Sequence, residues 1–286
     1  MHLSIILPCL NEGLSLKKLI PTLRQTYADA EIIVVDDGSS DESAKIATQS
    51  GAKVVSHLYS MGNGGAIKTG TRAASGDILV FMDADGQHDP QDIERLLTEL
   101  ARGHDMVVGA RRAESQASVG RWLANSFYNW LSSWIVGHTI ADLTSGFRAV
   151  KADKFKAFLY LLPNGFSYPT TITMAFFRAG YSVGYIPIVA QTRLGKSHIK
   201  LLRDGVRFLL IIFKIGTLYA PLKLFGSLSL GFFTLGLSYY IYTFATAERF
   251  TNMGVLLFIT SMLIFLIGLV SEQITQLLYS SHKEAK

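Results

Sequence analysis

Cysteine is nearly missing from this chain: Cys9 is the single one among 286 residues. That excludes an internal disulfide framework and a cysteine-rich zinc site, and it fits a reducing compartment. Cys9 itself, after an apolar run, reads as a small buried residue at a strand end, with no low-pKa surroundings legible around it. The N-terminus, MHLSIILPCLNEG, lacks a basic n-region and its apolar run stops at Pro8, so no signal peptide is expected and the globular part is expected to stay in the cytosol. No GxxxxGK[ST] phosphate loop occurs. Charge is missing from two stretches, Leu224 to Ala247 and Phe250 to Ser271, each about the 20 residues that a bilayer-spanning helix needs. Two spans are therefore expected, at about 224–246 and 253–277.

The remainder is too charged for a membrane bundle, although 49% of the whole chain is hydrophobic and only 17% charged. Short runs rich in Ile and Val, at Leu3 to Leu7, Glu31 to Val35, Lys53 to Ser56, Ile78 to Met82 and Met106 to Val108, read as buried parallel strands. Helical stretches separate them, among them Leu14 to Gln25 and Pro90 to Ala101, the latter with Asp89 as expected N-cap. This alternation implies an α/β fold with a mostly parallel sheet, whose ligands bind beyond the carboxyl ends of the strands. Further on, helices are expected at Trp122 to Ile135 and Thr170 to Ala179, with a loop at Ile140 to Phe147 between them.

Charge is segregated within the globular part. From Asp29 to Asp105 there are 14 acidic and 6 basic residues; from Met106 to Lys223 there are 4 acidic and 15 basic. The first half suits a cation and the second suits anions. In the stretch Lys196 to Lys223, Lys200, Arg203, Arg207 and Lys214 fall within an arc of about 60° on a helical wheel, as in a helix lying in the membrane interface. Basic residues also flank the two spans (Lys214, Lys223, Lys283 and Lys286), which puts both chain ends in the cytosol and the link Thr246 to Asn252 outside.

Asp83-Ala84-Asp85-Gly86-Gln87 follows one expected strand at its carboxyl end. Two carboxylates one residue apart, beside an amide, offer hard oxygen ligands for Mg²⁺ or Mn²⁺ while leaving positions for phosphate oxygens. His88 alongside reads as a solvated turn residue. Asp36-Asp37-Gly38-Ser39-Ser40-Asp41 closes an earlier strand at the same edge, where a carboxylate can accept hydrogen bonds from a base or ribose and Ser40 or Asp41 can cap the next helix. Asn11 and Glu12 stand at the corresponding end of the first strand, and Met61 to Lys68 is a glycine-rich helix start.

In their order and spacing, LPCLNEG, VVDDGSSDES, NGGAIKTG, FMDADGQHDP, GARR, DLTSGFRA and RLGKSHIK resemble the inverting family 2 glycosyltransferases, in particular the branch of dolichyl-phosphate mannose synthases and bacterial polyprenyl-phosphate glycosyltransferases. The resemblance covers about residues 3 to 223. It implies a GT-A fold, a nucleoside diphosphate sugar as donor, polyprenyl phosphate as acceptor and a divalent cation. By position, it assigns Pro8, Asn11, Glu12 and Asp37, with Lys68, to the donor, and Asp83, Asp85 and Gln87 to the cation. Arg193 and Ser197 would close over the diphosphate. Arg111 and Arg121, with Lys196 and His198, would take the acceptor phosphate. Read from its own position before Leu143 to Arg148, Asp142 is the candidate catalytic base if a carboxylate were required, and otherwise an orienting partner for Arg148 or another basic group. Many members have Ser-Lys where this chain has Ser197-His198, so the charge of that contact depends on pH.

The organisation expected is then a GT-A domain over 1–195, an amphipathic segment over 196–223, two spans within 224–278 and a cytosolic tail over 279–286. The membrane and a homo-oligomer through the hairpin join the expected partners, and nucleic acid does not. A processive polysaccharide synthase is the nearest enzymatic alternative, but its QxxRW motif is missing, since four residues separate Gln116 from Arg121-Trp122. A non-catalytic sugar-nucleotide-binding scaffold would not require both the DAD motif and the basic cluster.

Overall fold

The structure is a computed structural model; it describes residues 2–111, 119–165, 168–189, 210, 213 and 216–280, without the side chains of 119–125 and 278–280. Two units emerge, Met1–Leu131 with His138–Asp204, and Ser132–Gly137 with Gly205–Lys286.

The first unit is built on a seven-stranded sheet: β1 (Leu3–Cys9), β2 (Glu31–Asp36), β3 (Lys53–Ser56), β4 (Ile78–Phe81), β5 (Met106–Arg111), β6 (Arg148–Lys151) and β7 (Val183–Ile188), in the order β3-β2-β1-β4-β6-β5-β7. The apolar runs of β1, β2 and β4 form strands because both of their faces are covered. Ile5, Ile6, Leu7, Ile33, Val34, Leu79, Val80 and Phe81 are inaccessible to solvent. Helices α1 (Gly13–Thr26), α2 (Ser43–Gln49), α3 (Asn63–Ala73) and α4 (Asp92–Ala101) follow the first four strands in turn. Because β1 is parallel to β2 and to β4, with Cys9 opposite Asp36 and Ile6 opposite Phe81, the segments after Pro8, Asp36 and Phe81 emerge at one edge.

Helix α4 begins two residues later than expected. Asp89 accepts a hydrogen bond from the Gln91 backbone N–H at 2.9 Å and so closes a turn, while Gln91 holds the N-cap position. At α2 it is Asp41, not Ser40, that accepts from the backbone N–H of Ser43, at 3.0 Å. Two strands were not foreseen. β6 is four residues long, carries Arg148 and Lys151, and runs antiparallel between β4 and β5. Its reversed direction decides the site, since it brings the loop 142–147 to the same edge as the end of β4. α5 (Val119–Val136), of which the residues up to Leu131 belong to this unit, α6 (Ala152–Lys156), a 3-10 turn at Leu159–Leu161 and α7 (Tyr168–Arg178) follow.

In the second unit, α8 (Pro221–Ala247) and α9 (Asn252–Ser280) are long and apolar enough to cross a membrane. They are joined through Glu248, whose positive φ of 50° ends α8. Ser229 and Ser261 each donate to the other's carbonyl, at 2.8 and 2.9 Å, and Gly236 lets Leu257 and Phe258 approach. Lys223, at the start of α8, donates to the carbonyl of Trp134 and lies over its ring at 5.3 Å. The residues expected to form an interfacial helix lie mostly outside those described.

Candidate active site

At the common edge of β1, β2 and β4 opens a cleft of about 370 Å³, lined among others by Pro8, Glu12, Asp37, Asn63, Asp83, Asp85 and Gln87. Cys9 is among the lining residues too; it is buried, which pushes its thiol pKa up.

The wall from β1 and β2 is stitched by its own polar groups. Asn11, held at a positive φ of 59°, accepts from the Ser40 N–H at 2.8 Å, and its own N–H donates to Ser39 Oγ at 2.9 Å. Asp37 Oδ1 accepts from His57 Nδ1 (2.7 Å) and the Met61 N–H (2.8 Å); Oδ2 accepts from Ser60 Oγ (2.7 Å) and the Gly62 N–H (2.8 Å). A carboxylate has about four lone-pair sites, and protein donors take all four. Burial pushes the Asp37 pKa up, but these donors outweigh it and hold the group below the usual carboxylate range. The side chain expected to read the nucleoside thus shapes the 57–62 loop as well as lining the cleft.

The glycine-rich start of α3 is committed in the same way. Its Gly65 N–H donates to Asn164 O at 2.7 Å, and a Cβ at Gly64 would lie 2.0 Å from Pro163 O, so the glycines admit the 163–165 backbone. Lys68, expected on the donor, donates to Leu162 O at 2.9 Å. Burial, with Arg72 nearby, lowers its pKa. It is not among the residues lining the cleft.

The turn after β4 forms the third part of the wall. Asp83, Asp85 and Gln87 all face the cleft, on a turn that Gly86 closes at a φ of 75° and the Gln87 N–H ties to Asp85 Oδ1 at 3.1 Å. Asp83 also lines a second cavity of about 170 Å³ with Asn63, Thr144, Gly146, Tyr168, Pro169 and Thr170. Among the described residues no cluster of three or more His, Cys, Asp or Glu forms a metal site. The donor set is two carboxylates and an amide, all hard oxygens, which suits a cation that completes its shell with phosphate oxygens and water. His88, expected in solvent, is buried instead, its ring stacked on Phe147.

On the basic side, Arg111 is bound bidentately by Asp142: Nε to Oδ2 at 2.8 Å and Nη2 to Oδ1 at 3.1 Å, with Nη2 also 2.6 Å from Thr144 Oγ1. Burial pushes the Asp142 pKa up, but Arg111 outweighs it and the carboxylate lies below its usual range. Asp142 thus orients Arg111 and not Arg148. Arg148 is wholly buried and donates to the carbonyls of Pro169 and Ser145 and to Thr173 Oγ1. Arg121 lies in α5, its side chain outside the described residues, as are Arg193, Lys196, Ser197 and His198. Sequence reasoning missed the placement of Thr144, Tyr168 and Thr170, for which the unforeseen β6 was the missing signal.

A family model described as glycosyl transferase family 2 matches residues 4–159. The chain belongs to glycosyl transferase family 2. A second model, the GtrB C-terminal hairpin, matches residues 220–277 of this family 2 protein. An undecaprenyl-phosphate 4-deoxy-4-formamido-L-arabinose transferase of Pectobacterium carotovorum is 36% identical over 169 residues, which are 56% of this chain and 51% of that protein. The chain thus spans about half the length of such relatives. An undecaprenyl-phosphate mannosyltransferase of Micrococcus luteus is 31% identical over 212 residues, 69% of this chain and 87% of that one. Among solved structures, glucosyl-3-phosphoglycerate synthase of Mycobacterium tuberculosis, in complex with Mn²⁺, UDP-glucose and phosphoglyceric acid, superposes with a TM-score of 0.60 at 23% identity, over 74% of this chain and 79% of that one. The fold is of the GT-A type.

Proposed function

We propose that this family 2 protein performs the inverting transfer of a sugar from a nucleoside diphosphate sugar, such as GDP-mannose or UDP-glucose, to a polyprenyl phosphate at the cytosolic face of a membrane. The observation that carries the reading is Asp83 at the junction of a nucleotide-sized cleft and a smaller, hydroxyl-lined cavity, with Asp85 beside it on the wall of the larger cleft, in a chain that continues into a hairpin of two apolar helices. Relatives named for transfer to undecaprenyl phosphate support the acceptor class.

Pro8, Asn11 and Glu12 line or brace the nucleoside end, with Asp37 as the anchor of its wall. Asp83, Asp85 and Gln87 would hold Mg²⁺ or Mn²⁺, which when bound neutralises the departing diphosphate. Arg193 and Ser197 close over that diphosphate. Arg111, fixed by Asp142, works with Arg121, Lys196 and His198 to draw in the acceptor phosphate. A phosphate monoester at neutral pH carries about 1.5 to 2 negative charges and attacks without a general base. The protein's task is to bring an acceptor phosphate oxygen within about 3 to 3.5 Å of the anomeric carbon of a sugar that leaves from another anion, the diphosphate, which requires fixed positive charge and in-line positioning.

The division into a catalytic domain (1–195), an interfacial segment (196–223), a two-span hairpin (224–278) and a cytosolic tail (279–286) belongs to the same proposal, as does homo-oligomerisation through the hairpin. Phe127 and Trp130, exposed on α5, suit a domain lying at a lipid surface. The deciding experiment incubates detergent-solubilised protein with Mn²⁺, undecaprenyl phosphate and a panel of UDP and GDP sugars, with mass spectrometry of the lipid fraction. One glycosylated lipid is expected; none from any donor overturns the proposal. For topology, a cysteine at Thr251 should react with an impermeant maleimide from outside and one at Ser281 should not. Equal labelling overturns the placement.

A further inference from the structure

His88 is the group that the reaction as described leaves without a task. It follows the cation turn directly, is only 8% exposed, and lies flat against Phe147, with ring centroids 4.8 Å apart and planes 13° from parallel. Its Nε2 stands 3.6 Å from Asp83 Oδ2, while Nδ1 is buried without a hydrogen-bond partner. A phenyl ring would stack on Phe147 without burying an unpaired nitrogen, so packing alone does not account for an imidazole here. On its other side Asp83 is confined by the 144–147 loop, since a Cβ on Gly146 would lie 3.3 Å from Asp83 Oδ2. Phe147 is itself fixed: it is inaccessible to solvent and sits against Gly109, where a Cβ would come within 2.8 Å of its ring.

We propose that His88 is a positioning residue for the cation site: seated on Phe147, it presents Nε2 to one oxygen of Asp83 and so turns the other toward the junction of the two cavities. This rests on the reading that Asp83 and Asp85 hold the cation. The 3.6 Å separation is ion-pair distance and longer than a hydrogen bond, so the proposed contact requires the two groups to draw together when the cation binds. Carboxylates that ligate metals are themselves held by neighbours, and losing such a neighbour typically weakens metal binding by about 10- to 100-fold.

The test is a titration of the full-length protein in detergent with Mn²⁺ alone, reading the electron paramagnetic resonance signal of the free ion. His88→Phe keeps the stack and removes the donor; His88→Gln keeps a donor near the Nε2 position and gives up the ring. Thermal melts of both variants check that they fold. The expected result is Mn²⁺ binding weakened about 10- to 100-fold in His88→Phe and largely restored in His88→Gln. Unweakened binding by His88→Phe overturns the proposal, as does equal weakening in the two variants, which would make the imidazole a packing element. Asp85→Asn separates this from the underlying reading. If the unaltered protein and Asp85→Asn bind Mn²⁺ alike, or neither binds, the cation assignment itself fails and the role of His88 goes with it.

Discussion

Asp37 and Asp85 both follow strands of one sheet at the same edge, both lie in acidic glycine-containing turns, and both line the larger cleft. On the proposed function they do different work. The donors of His57, Ser60, Met61 and Gly62 converge on Asp37 and tie down a loop. Asp85 is joined to its own turn through the Gln87 N–H and stands beside Asp83 and Gln87 on the cleft wall. A carboxylate saturated by its own protein builds the site, whereas one presented beside others to an open cleft serves what enters it.

The sharpest way to break this comparison is Asp85→Asn. Transfer should fall by about three orders of magnitude, since a metal site of this kind supplies several kcal/mol in the transition state. The melting temperature should not move. EDTA should reproduce the loss in the unaltered protein, and undiminished turnover in EDTA would show that Asp85 does not act through a cation.

Asp37→Asn should do the reverse, losing stability first. Replacing one carboxylate oxygen by an amide sets N–H against N–H at Gly62 or a neighbouring donor, at about 1 to 3 kcal/mol, read as a lower melting temperature. The pH dependence has a definite sign. The folded pKa of Asp37 is depressed, so its contribution is complete above the unfolded value of about 3.9 and is lost as pH falls through the folded value. The difference in stability between variant and unaltered protein should therefore shrink in acid. A variant that melts normally but no longer binds the donor nucleotide would return Asp37 to the role that its sequence position suggested.

That contrast was only half legible in the sequence. Strand periodicity located β1 to β5, because each is a short run rich in Ile and Val, covered on both faces in β1, β2 and β4, and the DAD turn stood out because two hard oxygen ligands one residue apart at a strand end suit a cation. β6 was not legible: Arg148 and Lys151 break its apolar pattern, and only its pairing with β4 and β5 shows the strand. With it went the second cavity, the burial of His88 against Phe147, and the choice of Arg111 over Arg148 as the partner of Asp142. Each of these depends on a contact across more than twenty residues, which no local pattern encodes. The glycines of α3 were visible, but not that they admit the 163–165 backbone.

Asp142 gives the comparison its finest test, because a buried carboxylate near the reacting groups is where a general base would be sought. Its geometry puts it with Asp37. Oδ2 accepts from the backbone N–H and Nε of Arg111, and Oδ1 accepts from Arg111 Nη2 and from the N–H and hydroxyl of Thr144. With those sites filled and its pKa lowered, it is poorly placed to take a proton, and an acceptor whose second pKa is near 6 has none to give at neutral pH. Asp142→Asn should accordingly keep measurable transfer. The expected change is about a tenfold rise in the KM for polyprenyl phosphate, the size of one weakened charge-assisted contact, as Arg111 loses its bidentate hold, with a smaller change in the KM for the nucleotide sugar. In the variant and the unaltered protein alike, rates should fall below about pH 6 as the acceptor dianion is protonated to the monoanion. Initial rates against both substrates between about pH 5 and 9 bracket that ionisation. Loss of all activity in Asp142→Asn with lipid binding intact would make Asp142 the base, and would show that a saturated carboxylate can still do the chemistry.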